Sequence, residues 1–136
     1  MCNYLEYLEI PYKFNGTSKN EGFDCNTLVS QIAKEDGYFI PNVNHINKSI
    51  LTFHHLFPDE IKSGKWEEIP RGEKRVVIFN ISNPKNKKTE ISHMGWMINN
   101  HQFIHIMENT SVSIESIKSP AWKRRVAGYY RYKGLK

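Results

Sequence analysis

"EGFDCNTLVSQIAKEDG", residues 21–37, sets an aspartate and a cysteine at the head of an amphipathic helix. Asp24 is an N-capping residue type, which puts Cys25 in the first turn. Leu28, Val29, Ile32 and Ala33 then recur at helical spacing, and Gly37 supplies a C-terminal stop. On the N-terminal side, "NGTSKNEG" (15–22) reads as a polar loop of turn formers. "YLEYLEI" (4–10) spaces Tyr4, Leu5 and Leu8 as a short helix stopped by Pro11. On the C-terminal side, "HINKSILTFHHLF" (45–57) aligns Ile46, Ile50, Phe53 and Phe57 as a second helical stretch ended by Pro58.

Beyond Pro58 the hydrophobic period falls to two. "KRVVIFNI" (74–81) is a buried strand and "NPKNKK" (83–88) a basic loop. "ISHMGWMI" (91–98), "NNH" (99–101) and "QFIHIM" (102–107) form a hairpin, "SVSIESI" (111–117) a further short strand and "RVAGYYRY" (125–132) a closing one. Helices first and strands later predict an α+β fold, with N-terminal helices packed on one face of an antiparallel β-sheet. No repeat or linker divides the chain, so residues 1–136 are expected to form a single domain.

With 39% hydrophobic and 24% charged residues, the chain has the composition of a folded globular protein, not a disordered one. Its net charge of +5, concentrated in "KRRVAGYYRYKGLK" (123–136), suits an anionic partner: nucleic acid, a bacterial wall or an acidic lipid face. Two cysteines, Cys2 and Cys25, cannot build a disulfide framework. "MCNYLEYLEIPYKF" (1–14) lacks the regions of a secretory signal, and no apolar run approaches the roughly 20 residues of a membrane span. The expectation is a protein made in the cytoplasm, with no membrane span, that reaches any outside substrate by another route.

Cys25 is open to three readings: packing, metal ligation or nucleophilic attack. Helix-start amides and the helix dipole favour a thiolate there, yet Cys25 also shares the side of Leu28, Val29 and Ile32. A nucleophilic thiol needs a base. His54 and His55 are neighbours on a helical stretch and point apart, and His45 and His101 sit among polar loop residues. His93 and His105 stand within apolar strands, with Gly95 leaving room beside the first. Side chains alternate along a strand, so a two-residue loop would put these imidazoles on opposite faces, and a three-residue loop over Asn99–His101 on one face. Core packing of both remains the competing reading.

Three stretches in order resemble the NlpC-type cysteine peptidases, papain-like enzymes that cut peptide stems of bacterial peptidoglycan. Their first motif, Pro-Tyr-x-aromatic-x-Gly-Thr followed by Gly-Phe-Asp-Cys-Ser-Gly-Leu-Val, stands here as "PYKFNGTSKNEGFDCNTLV" (11–29). Their second, His-Val-Gly-Ile-Tyr, a turn and Phe-Ile-His-Ala, stands as "HMGWMINNHQFIHIM" (93–107). "WKRRVAGYYRY" (122–132) looks like the phage-associated branch. The resemblance runs from about Ile10 to Tyr132.

It implies a papain-like fold and a triad of Cys25 as nucleophile, His93 as general base and His105 as the polar residue orienting it. It also implies that Tyr12 lies near the oxyanion site and that Asp24 helps bind the free amine of a stem peptide. Where relatives have Ser-Gly after the cysteine, this chain has Asn26-Thr27, and Asn26 can still accept a hydrogen bond from substrate. The implied reaction is amide hydrolysis through a thioester, with no metal or cofactor. A phage tail or secretion system would be the partner carrying the protein to the wall. Three other readings compete. A zinc site could use Cys25, His93 and His105. A nucleic-acid module could use Lys123, Arg124, Arg125, Arg131 and Lys133 with Tyr129, Tyr130 and Tyr132. A papain-like amidase or acyltransferase would act on another substrate.

Overall fold

The structure, a computed structural model, describes residues 2–42, 62–82 and 89–133. The expected helix at 45–57, with His45, His54 and His55, and the basic loop at 83–88 lie outside the described residues. Short strands β1 (Thr17–Ser18) and β2 (Gly22–Phe23) precede helix α1 (Cys25–Glu35). Six further strands follow: β3 (Trp66–Ile69), β4 (Val76–Ser82), β5 (Thr89–Met97), β6 (Gln102–His105), β7 (Ser113–Ser116) and β8 (Val126–Tyr132). A single helical turn, α2 (Pro120–Lys123), separates β7 from β8. The six strands form one antiparallel sheet in the order β3-β8-β4-β5-β6-β7.

Strand β4 lies inside the sheet, and its apolar run is covered on both sides. Val76 and Ile78 pack with Leu28, Val29 and Ile32 of α1, whereas Val77 and Phe79 pack with Met97, Phe103 and Trp122 on the opposite face. Fully burying an apolar side chain of this size contributes about 2 kcal/mol, so the two layers together fix the sheet. The α+β architecture and α1 against one face of the sheet are as the sequence predicts. The second face carries its own cover, the α2 turn with Trp122, which hydrophobic periodicity did not reveal because four residues hold no period.

Other elements depart from expectation. Residues 4–7 form a 3-10 helix whose buried side chain is Tyr7, and Leu5 is 70% exposed. The polar loop at 15–22 closes as a β1–β2 hairpin, pairing Thr17 with Phe23 and Ser18 with Gly22. Gly22 has φ +112°, and a Cβ there would lie 2.5 Å from the Pro11 carbonyl oxygen, so only glycine lets residues 11–13 cross this hairpin. Strand β3 was not foreseen. Its WEEI alternates, and it pairs with β8 through Trp66↔Tyr132 and Ile69↔Tyr129.

Asp36, just past α1, joins three parts of the chain. It accepts hydrogen bonds from the Cys2 N–H (2.9 Å), the Tyr4 hydroxyl (2.5 Å) and the Trp96 indole N–H (2.9 Å). Residues 9–12 then run along residues 110–112 through Glu9 N–H to Val112 O and Tyr12 N–H to Thr110 O, each 3.1 Å. That path delivers Tyr12 to the head of α1, where it bridges to Phe23.

Candidate active site

Helix α1 begins with an unusually complete cap. The Asp24 carboxylate accepts from the Asn26 and Thr27 backbone N–H groups at 2.9 Å, and Thr27 Oγ1 accepts from the Asp24 N–H at 2.9 Å, a reciprocal capping box. The second Asp24 oxygen accepts from the Asn15 N–H at 2.6 Å. Thr27, in place of the glycine of the motif, thus supplies half of the box. Asn26 donates from Nδ2 to the Pro41 carbonyl at 3.1 Å and lies against Met94 Sδ. Asp24 is 2% exposed and Asn26 fully buried, and both lie at the helix start beside Cys25.

Cys25 is held at this helix start, and its thiol is free of any disulfide. Burial pushes the thiol well above its ordinary 9.0, and the charge of Asp24 adds to the rise. Backbone N–H groups of Met94, Asn26 and Cys25 itself act in the opposite direction without overcoming it. The helix-start thiolate expected from the sequence is therefore, in this resting site, a neutral thiol surrounded by donors that favour the anion once charge develops. The Tyr12 phenol is also raised, by burial and by the charges of Cys25, Asp24 and Glu108, so it stays a protonated donor near the sulfur.

The contact with Met94 matters because Met94 adjoins His93. The β5–β6 ladder pairs only Trp96↔Ile104 and Met97↔Phe103, although β5 continues back to Thr89. Cys25 meets the main chain of β5 just past the end of that ladder. The hairpin loop is Asn99–Asn100–His101, closed by Ile98 N–H to Gln102 O at 3.0 Å. Three loop residues give the parity that puts His93 and His105 on one face, where His93 Nε2 and His105 Nδ1 lie 2.8 Å apart. The space expected at Gly95 is filled: a Cβ there would lie 2.9 Å from the Phe103 ring and 3.4 Å from His105 Cβ. Glycine at 95 lets β5 approach the His105 strand this closely.

Sequence reading missed the residues beyond His105. His105 Nε2 lies 2.6 Å from Glu115 Oε2, and the Trp122 indole N–H donates to Glu115 Oε1 at 2.8 Å. Trp122 stacks on His93 at 5.8 Å between centroids and meets His105 edge-on at 4.8 Å. Burial would raise the Glu115 carboxyl, but hydrogen bonds from His105 and Trp122 outweigh it and hold the group below its ordinary 4.5. Burial, with the charge of His105, holds His93 well below 6.5; burial also lowers His105, against the pull of Glu115. Both imidazoles are thus neutral at pH 7. The available signal for Glu115 was a lone acid in "SVSIESI", otherwise composed of small and apolar residues.

A model of the NlpC/P60 family matches residues 9–131. The chain belongs to the NlpC/P60 family. Among curated relatives of this NlpC/P60 domain, the gamma-DL-glutamyl hydrolase of Bacillus subtilis is 28% identical over 131 residues, covering 96% of this chain and 28% of that protein. The murein DD-endopeptidase MepS/murein LD-carboxypeptidase of Escherichia coli is 25% identical over 126 residues, 92% of this chain and 57% of that protein. The chain thus spans under two thirds of the length of either relative. An NLP/P60-family structure from Staphylococcus aureus, similar to a lipoprotein, aligns over 96% of this chain and 39% of its own, with a TM-score of 0.64 and 19% identity. One from Bacillus cereus aligns over 94% and 37%, with a TM-score of 0.61 and 24% identity. These two likenesses establish the NlpC/P60 fold.

The competing readings meet geometry of their own. Among the described residues no group of three or more His, Cys, Asp or Glu is arranged to hold a metal ion. The tail aromatics are divided between the faces of β8. Tyr129 packs beside Val77 and Trp122, whereas Tyr130 and Tyr132 pack on the α1 side, Tyr132 edge-on to Trp66 at 5.0 Å. Arg131 pairs with Glu67 at 2.6 Å. Among the described residues of β8 the rings are thus split between the two faces, and one cation, Arg131, is already paired with a carboxylate. Among the described residues no helix is long and apolar enough to cross a membrane.

Proposed function

We propose that this NlpC/P60 domain is a cysteine peptidase that hydrolyses an amide bond in peptidoglycan stem peptides through a Cys25–His93–His105 triad. The observation that carries the reading is the 2.8 Å contact between two buried histidines on adjacent strands, beside a helix-start cysteine that meets the main chain next to the first histidine. Core packing alone gives no reason to bury two imidazoles nitrogen to nitrogen, since each carries a desolvation cost.

In this mechanism the neutral pair is the resting state. His93 Nδ1 takes the Cys25 proton as sulfur attacks the amide carbonyl, and imidazolium forms with its Nε2–H directed at His105. Charge developing on the carbonyl oxygen is met by backbone N–H at the head of α1 and by the Tyr12 hydroxyl; one such donor is worth about 3 kcal/mol in other enzymes. His93 returns the proton to the leaving amine, giving a thioester on Cys25. Water, deprotonated by His93, attacks the thioester, and the thiol leaves with the proton. Asp24 and Asn26 keep the role that the family resemblance implies, binding the free amine of a stem peptide, and Asp24 also caps the helix that carries Cys25. The basic charge suits a polyanionic wall, and the closing Trp and Gly-Tyr-Tyr-Arg pattern, similar to the phage-associated branch, favours delivery by a phage tail over a secretion system.

The name of the Bacillus subtilis relative supports a second substrate class, gamma-linked glutamyl amides. Digestion of purified sacculi and of gamma-linked polyglutamate, with fragments identified by mass, separates the two. Wild type should release fragments, and Cys25→Ala and His93→Ala should each fall by about 1,000-fold or more. Retention of wild-type cleavage by either variant would overturn the triad.

A further inference from the structure

We propose that Glu115 is a positioning residue that sets the tautomers of both histidines and so presents His93 with its Nδ1 bare. The inference rests on the triad reading above for its link to activity, but its geometry stands by itself. An ionised carboxylate accepts hydrogen bonds and cannot donate them. Glu115 Oε2, 2.6 Å from His105 Nε2, therefore requires the proton on that nitrogen. In a neutral ring the other nitrogen, His105 Nδ1, is then an acceptor. His93 Nε2, 2.8 Å away, must supply the hydrogen, which leaves His93 Nδ1 as the lone-pair nitrogen. Each proton position follows from the one before it, starting at the carboxylate.

The Trp122 indole makes the starting point firm. Nε1–H can only donate, and it donates to Glu115 Oε1 at 2.8 Å, so both carboxylate oxygens face fixed donors; Ser113 Oγ also lies 3.4 Å from Oε2. The α2 turn, opened by Pro120 after Ser119, serves to bring this indole over the pair. The opposite tautomer of His93 would carry a proton on Nδ1 and could not accept one from Cys25. When His93 becomes imidazolium, the Glu115 charge is felt through His105 without any proton leaving either ring.

Glu115→Gln tests the proposal without changing size. A carboxamide has one acceptor and one donor end. With its oxygen on the Trp122 N–H, its NH2 faces His105 Nε2 and reverses the protons on both rings. Ring nitrogen-15 NMR of the free protein should show Nε2–H, Nδ1-bare forms of His93 and His105 in wild type, and loss or reversal of that pattern in Glu115→Gln. Trp122→Phe keeps the aromatic cover and removes the donor, and should leave the wild-type pattern in place in Glu115-containing protein but weaken it. In activity assays, kcat of Glu115→Gln should fall by about 100-fold with KM nearly unchanged. Unchanged ring protonation in Glu115→Gln would overturn the proposal, as would the opposite tautomer in wild type. Because the NMR readout needs no substrate, a wild-type protein inactive on every amide tested would count against the peptidase reading alone.

Discussion

His105 has a partner on each ring nitrogen, His93 on one side and Glu115 on the other. Asparagine can accept a hydrogen bond from His93 Nε2–H but is too short to span to Glu115, whereas alanine offers neither. His105→Asn is therefore expected to keep activity within about tenfold of wild type and His105→Ala to lose about 100-fold or more, measured as kcat/KM on one defined stem peptide. Equal activity of the two variants would reduce His105 to a core residue. The same scale holds a test of Asp24. Its charge raises the Cys25 thiol, so Asp24→Asn, which keeps acceptor oxygen for the cap, should lower the thiol pKa. The midpoint of thiol alkylation against pH should move down. An absent shift would mean that burial alone governs the sulfur, and an upward one that the helix-start amides had been lost with the cap.

At the scale of elements, long periodic stretches were legible and short ones were not. Helix α1 was readable because four apolar residues repeat at helical spacing between a capping aspartate and Gly37. The β5–β6 hairpin was readable because a three-residue loop fixes side-chain parity, and that parity brings His93 to His105. Strand β3 has only four residues, and its pairing with β8, such as Trp66 with Tyr132 and Ile69 with Tyr129, joins positions far apart in sequence, a contact that no local pattern encodes. The α2 turn is set by Pro120 and by the tertiary demand for Trp122. Glu115 was invisible for a related reason: its importance depends on which strand lies beside β6, and register between β6 and β7 is a property of the assembled sheet.

For the molecule as a whole, buried titratable groups set the pH range of stability. His93 and His105 have folded pKa values below 6.5, so just below that pH the unfolded chain binds protons that the folded chain refuses. Stability rises with pH there, is fully restored above about pH 6.5 and is lost as the medium is acidified. Cys2 has the opposite sign. Burial and the neighbouring Glu35 push it from 9.0 up to about 12, so above pH 9 the unfolded chain releases a proton that the folded chain keeps, and stability falls. Chemical denaturation from about pH 4 to about pH 10 should give a midpoint that is highest between about 6.5 and 9. A midpoint still climbing toward pH 10 would contradict the buried, protonated state of Cys2.

The α2 turn also gives this molecule an optical property. Its indole lies against both imidazoles, and a charged imidazole ring quenches the excited state of an adjacent indole whereas a neutral one does so far less. With Trp66 and Trp96 replaced by phenylalanine, the emission of Trp122 becomes a light signal for the charge on the imidazoles beside it.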